Sequence, residues 1–130
     1  MNDLDNFISE IWSETRPFND RPRHKNERWW NDTVHLEVIA ERHAGFAKVN
    51  LGFIAVYYPN KGKGYASECL RWLLSVADKH NVYIVGLADP VGSLGLKKTE
   101  LKRWYRRYGF NFDRHSHGLR VPVEGVEVQA

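Results

Sequence analysis

The run Lys61-Gly-Lys-Gly-Tyr-Ala66 joins an apolar segment, residues 53–59, to an amphipathic segment that begins near Gly64. This order predicts a strand, a glycine-rich turn and the N-terminus of a helix. Backbone N–H groups at such a turn lack helical partners, and the helix dipole adds partial positive charge. Glycines let a phosphate approach the backbone closely, and Lys61 and Lys63 add full charges. The run therefore predicts a phosphate-binding site.

Two common phosphate motifs are excluded by spacing. The chain has no Gly-x-x-x-x-Gly-Lys-Ser/Thr pattern around this run, so the turn is not a P-loop. A dinucleotide fingerprint needs a third glycine three residues after Gly64, and Ser67 occupies that position.

A second segment near the C-terminus indicates which kind of phosphate-binding protein this is similar to. Residues 101–110 read Leu-Lys-Arg-Trp-Tyr-Arg-Arg-Tyr-Gly-Phe, which places Tyr105-x-x-x-Gly109-Phe110 between a helix and a short closing strand. Together the two segments resemble the GNAT superfamily of acetyl-CoA-dependent N-acetyltransferases, whose pyrophosphate loop reads Arg/Gln-x-x-Gly-x-Gly/Ala. Lys61, Gly64 and Ala66 match that loop, with a lysine where the family has arginine or glutamine.

The resemblance covers residues 50–122 and implies an α+β fold. The expected sheet is mixed and mostly antiparallel, with helices on both faces and a central parallel strand–helix–strand crossover. In this family two parallel strands separate to open the cofactor cleft, so strands 46–57 and 82–88 are expected to diverge. The chain is also similar to the short GNAT-like proteins often encoded by tailed bacteriophages.

The resemblance also implies a cofactor and its contacts. The cofactor is acetyl-CoA, with backbone groups of Ile54 and Val56 pairing with pantetheine. The pyrophosphate is expected on the glycine turn, whose residues are Lys61, Gly62, Lys63, Gly64, Tyr65 and Ala66. In the family a tyrosine often protonates the departing thiolate, and Tyr105 matches it, with Tyr108 as the alternative. A helical stripe of core aromatics is the competing interpretation of both tyrosines.

The general base is less well marked. Family members often place a carboxylate where this chain has Asn50. Glu37 is the predicted base, and His35 and Glu41 are alternatives that could act directly or through water. Each of the three could equally be a solvent-facing strand or turn residue. Lys98 and Leu101 replace the Asn-x-x-Ala that commonly precedes the tyrosine, and Lys98 could meet a phosphate.

Periodicity predicts the remaining elements. Helices are expected at 3–14, 64–80 and 97–108, and strands at 34–40, 46–57 and 82–87, with a closing hairpin of 110–112 and 119–121. Turns or loops are expected at 15–32, 41–45 and 88–95. Gly52 indicates a bulge or a close backbone approach. A length of 130 residues fits one domain, with an acceptor-side region at 1–33, a core at 34–123 and a tail at 124–130.

Composition favours a soluble, cytoplasmic protein. A hydrophobic share of 42% and a charged share of 27% are ordinary for a globular chain. One cysteine excludes an intrachain disulfide and favours a reducing compartment. No run is long and apolar enough for a membrane span, and the polar N-terminus does not resemble a signal peptide.

The net charge of +3 is too small to indicate nucleic-acid binding by itself. Two basic stretches, residues 16–28 and 97–107, are solvated surfaces or contacts to a cofactor phosphate, an acidic substrate or nucleic acid. No metal site is expected, because His115-x-His117 lies in a loop with only Asp113 nearby.

Cys69 lies on the apolar stripe of its helix and is expected to be structural. Trp29-Trp30 could line an acceptor pocket or cap the core. The sequence thus predicts an N-acetyltransferase for a primary amine on a small molecule or protein. The alternatives are an inactive GNAT-fold module that binds CoA or a protein, and a nucleic-acid-binding module.

Overall fold

A computed structural model describes residues 3–43, 46–88, 96–112 and 116–123. The predicted loop at 88–95 is described only at residue 88. The predicted turn at 41–45 is described up to residue 43, where the strand is still continuing. Residues 113–115, which include His115, and the predicted tail lie outside the described residues.

The described residues form three α-helices and six strands. In order they are α1 (Asp3–Ser13), β1 (Thr15–Pro17), β2 (Glu27–Trp30), β3 (Val34–His43), β4 (Phe46–Val56), α2 (Tyr65–Lys79), β5 (Tyr83–Leu87), α3 (Lys98–Arg106) and β6 (His117–Arg120). A short 3₁₀ turn, Pro22–His24, precedes β2. The predicted helices are confirmed to within a few residues at their ends.

The strands form one sheet in chain order, from β1 to β6. Every neighbouring pair is antiparallel except β4 and β5, which are parallel. Helix α2 connects this parallel pair, because a parallel return needs a crossover across the sheet. The α+β class and the mixed, mostly antiparallel sheet with a parallel crossover are confirmed.

Gly52 is the bulge residue of β4. Glu37 pairs with Phe53 and the next residue, Val38, pairs with Leu51, so Gly52 has no opposite residue on β3. A Cβ on Gly52 would lie 2.9 Å from the Glu37 carboxyl carbon, so a larger residue there requires the Glu37 side chain to move. The expected bulge is therefore confirmed, and the close neighbour of Gly52 is the Glu37 side chain and not another backbone segment.

The expected placement of helices on both faces is wrong for the described residues. Paired residues of parallel strands share a face, and Leu51 pairs with Gly86. The ring of Tyr105 in α3 covers Gly86, and Trp104 donates a hydrogen bond to Ser67 of α2. Helix α1 packs on α2, so all three helices cover the same face.

The core lies between that face and the helices. It is a single apolar cluster with contributions from the three helices and from β3, β4 and β5. The opposite face of the sheet is not covered by any described helix. It presents polar and aromatic side chains from β2, β3 and β4, which are the residues that alternate with the buried ones.

The expected loop at 15–32 contains two strands. Their three and four residues include Pro17, two arginines and a glutamate, so the hydrophobic alternation that marks a strand is weak. Arg28 lies on the helix face and is buried. It donates hydrogen bonds to the Thr15 hydroxyl and to the carbonyls of Trp12 and Thr15, and these hold β2 against α1.

The predicted C-terminal hairpin is confirmed only as an isolated bridge between Asn111 and Leu119. The strand β6 instead pairs along its length with β5. Gly109 ends the last helical turn with a φ of +92°, which is the left-handed conformation expected of a C′ glycine.

Candidate functional site

The ladder between β4 and β5 ends halfway along β4. Their ladder runs from Lys48–Tyr83 to Leu51–Gly86 and stops there. β4 continues to Val56, and its outer neighbour β3 remains paired over that whole length. The backbone of β4 after the bulge therefore has no strand partner on its β5 side among the described residues. The ladder ends beside the Gly52 bulge and one residue before the end of β5, so the divergence expected from the resemblance stays a prediction.

A pocket of about 180 Å³ lies at the far end of this stretch of β4. It contains every residue predicted for the glycine turn, together with two that the sequence analysis did not select, Asn60 and Ser67. The lining residues are Val56, Asn60, Lys61, Gly62, Lys63, Gly64, Tyr65, Ala66 and Ser67. The chain therefore brings the predicted cofactor residues together around one depression.

The pocket is suited to an anion. Gly62 and Gly64 have φ values of +79° and +81°, and a Cβ on either would meet nothing within 4 Å. The first backbone bond of α2 runs from the Glu68 N–H to the Gly64 carbonyl, 3.1 Å, and no side chain caps the helix. Donors of the first turn therefore remain available beside the exposed Lys61 and Lys63.

Ile54 and Val56 lie on the stretch of β4 beyond the ladder. The Ile54 side chain is fully buried in the core, so only its backbone can face the β5 side. Val56 is also mostly buried and lines the pocket. This arrangement suits the backbone pairing expected of both residues.

Tyr105 lies at the point where the β4–β5 ladder ends. A Cβ on Gly86, the last residue of β5 that pairs with β4, would lie 3.1 Å from the Tyr105 ring. The side chain is fully buried, and its hydroxyl has no hydrogen-bond partner among the described residues. Burial raises the pKa of Tyr105, so the phenol keeps its proton at neutral pH.

The alternative interpretation of Tyr105 as a core aromatic also fits its contacts. The ring packs against Trp104 and Phe110. Tyr105 does not line the pocket at the glycine turn. Tyr108 packs on Trp104 and is only partly buried.

Glu37 reaches the same point from the opposite face. It is half-buried, and its carboxyl lies against Gly52, one residue beyond the last β4–β5 pair. No hydrogen bond or ion pair joins Glu37 to another described residue. Burial, and then the nearby Glu27, raise the pKa of Glu37. A raised pKa makes a carboxylate a better proton acceptor near neutral pH.

The other acidic candidate is engaged elsewhere. Glu41 forms an ion pair with Lys48, 3.0 Å, and accepts a hydrogen bond from the Asn50 amide. Asn50 therefore binds the Glu41 carboxylate, at the position where the family often has a carboxylate of its own. These contacts favour Glu37 over Glu41 as the base.

His35, the remaining candidate base, is the centre of a network that the sequence did not predict. It is 4% exposed and bonds to Glu27 on one side and to Tyr57 on the other. Phe18 stacks on its ring at 3.8 Å. The three bonded residues come from β2, from β3 and from the position just after β4, so spacing along the chain gave no signal. Only the strand position of His35 could have pointed to it.

The Trp29-Trp30 pair divides between the two faces, as alternation along β2 requires. Trp29 packs beside His35 and Tyr57 on the uncovered face. Trp30 packs against Trp72 of α2 on the helix face. The core-capping interpretation therefore holds for Trp30, and an acceptor-pocket role for Trp29 stays a prediction.

Several cations of the two basic stretches make contacts within the protein. In the first, Arg28 is turned inwards and Arg16 pairs with Asp32 at 2.6 Å. In the second, Lys102 and Arg106 lie over the Phe112 ring. Lys98 is exposed in the first turn of α3.

Cys69 is fully buried, and burial raises the pKa of its thiol, which fits the structural role expected of it. The described residues hold no group of three or more side chains able to bind a metal. Among the same residues, no helix has the length and apolar character needed to cross a membrane.

No protein-family model matches the chain, and no characterised protein matches it in sequence.

Proposed function

We propose that the protein is an N-acetyltransferase that uses acetyl-CoA and acetylates a primary amine in a ternary complex. One observation carries the proposal. Glu37 and Tyr105 both lie near the end of the β4–β5 ladder. Glu37 approaches it from one face of the sheet and Tyr105 from the other. The two functions needed for direct transfer, a proton acceptor and a proton donor, would then lie on either side of one opening.

The residues present fit coenzyme A. The open glycine turn offers backbone donors and two lysine charges for a pyrophosphate. The stretch of β4 after Gly52 would offer backbone groups on its β5 side for an extended chain. The buried hydroxyl of Tyr105 lacks a partner among the described residues, and a sulfur at the end of the β4–β5 ladder would give it one.

Each residue has one chemical task. Bound acetyl-CoA supplies an acetyl group whose bond to sulfur breaks as its bond to the acceptor nitrogen forms. Tyr105 carries the proton that the departing sulfur needs, and its raised pKa keeps that proton in place until then. Glu37 accepts a proton from the attacking nitrogen. The proton balance is completed when Tyr105 regains a proton from Glu37 or solvent.

Calorimetry with acetyl-CoA tests the binding step. Removing both lysine charges, Lys61→Ala with Lys63→Ala, should weaken acetyl-CoA binding about 10-fold or more, since each charge-assisted contact is worth about 1 kcal/mol or more. The control is Arg23→Ala with Lys25→Ala, an equal loss of charge at exposed positions outside the pocket. Equal effects of the two pairs, or no binding by folded wild type, would contradict the proposal.

Tyr105→Phe tests the donor. The variant should bind acetyl-CoA normally and lose turnover about 100-fold, because general-acid catalysis contributes at least that much. Tyr108→Phe removes a neighbouring phenol of the same helix end and should leave turnover nearly unchanged. Full activity of Tyr105→Phe would remove it from the reaction.

A second candidate function is a CoA-binding module without transfer activity. The observation that favours it is the burial of the Tyr105 hydroxyl, on a ring that packs against Phe110 as a core aromatic would. This candidate predicts acetyl-CoA binding with no acetylation of any primary amine. The nucleic-acid alternative has less support, because Arg28 and Arg16 are both engaged within the protein. Salt-sensitive DNA or RNA binding that ignores CoA would favour it.

A further inference from the structure

Three side chains on the uncovered face form a continuous chain of hydrogen bonds. Glu27 Oε1 lies 2.7 Å from His35 Nε2, and His35 Nδ1 lies 2.6 Å from the Tyr57 hydroxyl. The residues come from β2, from β3 and from the position just after β4. The chain thus ends at the same stretch of β4 that leads into the glycine turn.

The direction of these bonds follows from the donors available. A carboxylate only accepts, so His35 Nε2 carries the proton and donates it to Glu27. Nδ1 of the neutral ring then accepts from the Tyr57 hydroxyl. Burial lowers the pKa of His35 despite the opposing effect of Glu27, so the ring is neutral at pH 7. A hydroxyl, an imidazole and a carboxylate in this order form a proton-accepting relay.

The surroundings leave Tyr57 as the accessible end of the relay. Phe18 stacks on the His35 ring with an interplanar angle of 3°, and Phe53 meets it edge-on at 4.8 Å. The other charged or titratable side chain near the ring is His24, whose Nε2 lies 3.9 Å from Glu27. His35 is 4% exposed, whereas Tyr57 is 46% exposed. A proton from a bound molecule would therefore reach His35 through Tyr57.

The proposed acetylation needs such a group. An alkyl ammonium loses two protons on its way to an amide, and Glu37 can hold only one of them. One proton must leave before the nitrogen can attack, because an ammonium has no free electron pair. The uncovered face carries both Glu37 and the relay, since Glu27 pairs with Glu37 across β2 and β3.

We propose that Tyr57, backed by His35 and Glu27, removes the first proton from a protonated alkylamine acceptor. This inference rests on the proposed function and narrows its acceptor to amines that are ammonium ions in solution. The ammonium gives one proton to Tyr57 Oη as the Tyr57 proton passes to His35 Nδ1. The imidazolium so formed is held by Glu27 and returns its proton to solvent after the transfer. Tyr57 is the catalytic residue, and His35 and Glu27 are positioning residues.

The test compares two amines of similar size. Ethylamine is an ammonium near neutral pH, whereas 2,2,2-trifluoroethylamine is already neutral there and does not need the relay. Tyr57→Phe should slow acetylation of ethylamine about 100-fold and that of trifluoroethylamine only a few-fold. The control is Tyr58→Phe, the same change at the neighbouring tyrosine, which is 90% exposed. A purely structural role for Tyr57 would slow both amines equally.

A second measurement does not depend on turnover. Long-range nitrogen–proton NMR of the unliganded protein should show His35 protonated at Nε2, with Nδ1 unprotonated and shifted by Tyr57→Phe. A proton on Nδ1 would reverse the relay and overturn the inference.

The outcomes separate the two proposals. Wild type that acetylates ethylamine, with Tyr57→Phe equally active, overturns the relay alone. Wild type that binds acetyl-CoA and acetylates neither amine overturns the transfer reaction, and the relay with it.

Discussion

Gly52 and Gly62 are both favoured as glycines, but for different physical reasons. A Cβ on Gly52 would collide with the Glu37 carboxyl across the bulge. A Cβ on Gly62 would have free space around it, but the φ of +79° is strained for any residue with a side chain. Volume limits the first position and backbone conformation limits the second.

This difference predicts that substitutions of Gly52 and Glu37 have coupled effects on stability. Gly52→Ala should lower the free energy of unfolding by about 1–3 kcal/mol, as overpacking does. Adding Glu37→Ala should recover most of that loss, because the colliding carboxyl is gone. Gly62→Ala should cost about 1–2 kcal/mol regardless of residue 37.

Urea denaturation of the single and double variants measures the coupling. A Gly52→Ala cost that is unchanged by Glu37→Ala would show that the carboxyl is not what excludes a side chain there.

Individual residues were predictable where a local pattern marks them. The glycine turn and Tyr105 stand in recognisable short motifs, and the structure gathers the turn around one pocket. The partners of His35 carry no such mark. Glu27 and Tyr57 meet His35 only because β2, β3 and β4 are neighbours in the sheet. Sequence spacing does not encode that register.

Among the elements, β6 is joined to the helical segments by one side chain, Arg120. It is a four-residue edge strand, and its Arg120 donates to both carboxylate oxygens of Asp78 in α2, at 2.7 and 3.0 Å. Arg120 also donates to the Tyr108 carbonyl at 3.2 Å. One side chain thus ties the last strand to two helical segments.

Arg120→Ala should lower the free energy of unfolding by about 2–3 kcal/mol, because Asp78 loses two of its hydrogen bonds and the Tyr108 carbonyl loses the bond from Arg120. Arg16→Ala is the matched control. It breaks an arginine–aspartate pair of the same short distance whose side chains are 58% and 74% exposed, and it should cost less than about 1 kcal/mol. Thermal or chemical denaturation that ranks the two variants equally would contradict this assignment.

Elements were predictable in proportion to their length and periodicity. α2 has seven buried residues at helical spacing, and its bounds match the expectation closely. β1 and β2 were missed because each is too short to alternate visibly. The Arg28 side chain is also buried, at a position where the alternation typical of a strand would require an apolar residue. Acceptor oxygens of α1 and β1 stabilise that charge through hydrogen bonds, which exist only in the folded chain.

At the scale of the whole molecule, the sheet separates the apolar core from a group of polar and titratable side chains. The helix face holds the core and Tyr105, and the uncovered face holds Glu37 and the His35 network. The sequence predicted which side of each helix is buried. It did not reveal that all three helices use the same face of the sheet, because a helical stripe looks alike on either face.

Ligand binding should stabilise the whole domain. CoA at 100 times its dissociation constant should raise the free energy of unfolding by about 2.7 kcal/mol, since it binds only the folded chain. Pantetheine, which lacks the pyrophosphate, should stabilise much less at the same concentration. Thermal unfolding with each compound measures the difference. Equal stabilisation by both would show that the glycine turn does not hold the pyrophosphate.

The stretch of β4 after Gly52, which has no described strand partner on its β5 side, has one more consequence. An unpaired strand edge usually lies at the rim of a sheet, where it invites aggregation with other chains. Here the stretch lies inside the sheet, since β4 stands between β3 and β5 in the strand order. A strand from another chain would have to enter between these two neighbours to pair with it. The sheet order therefore places this backbone away from the two outer strands, β1 and β6, at which edge-to-edge association occurs.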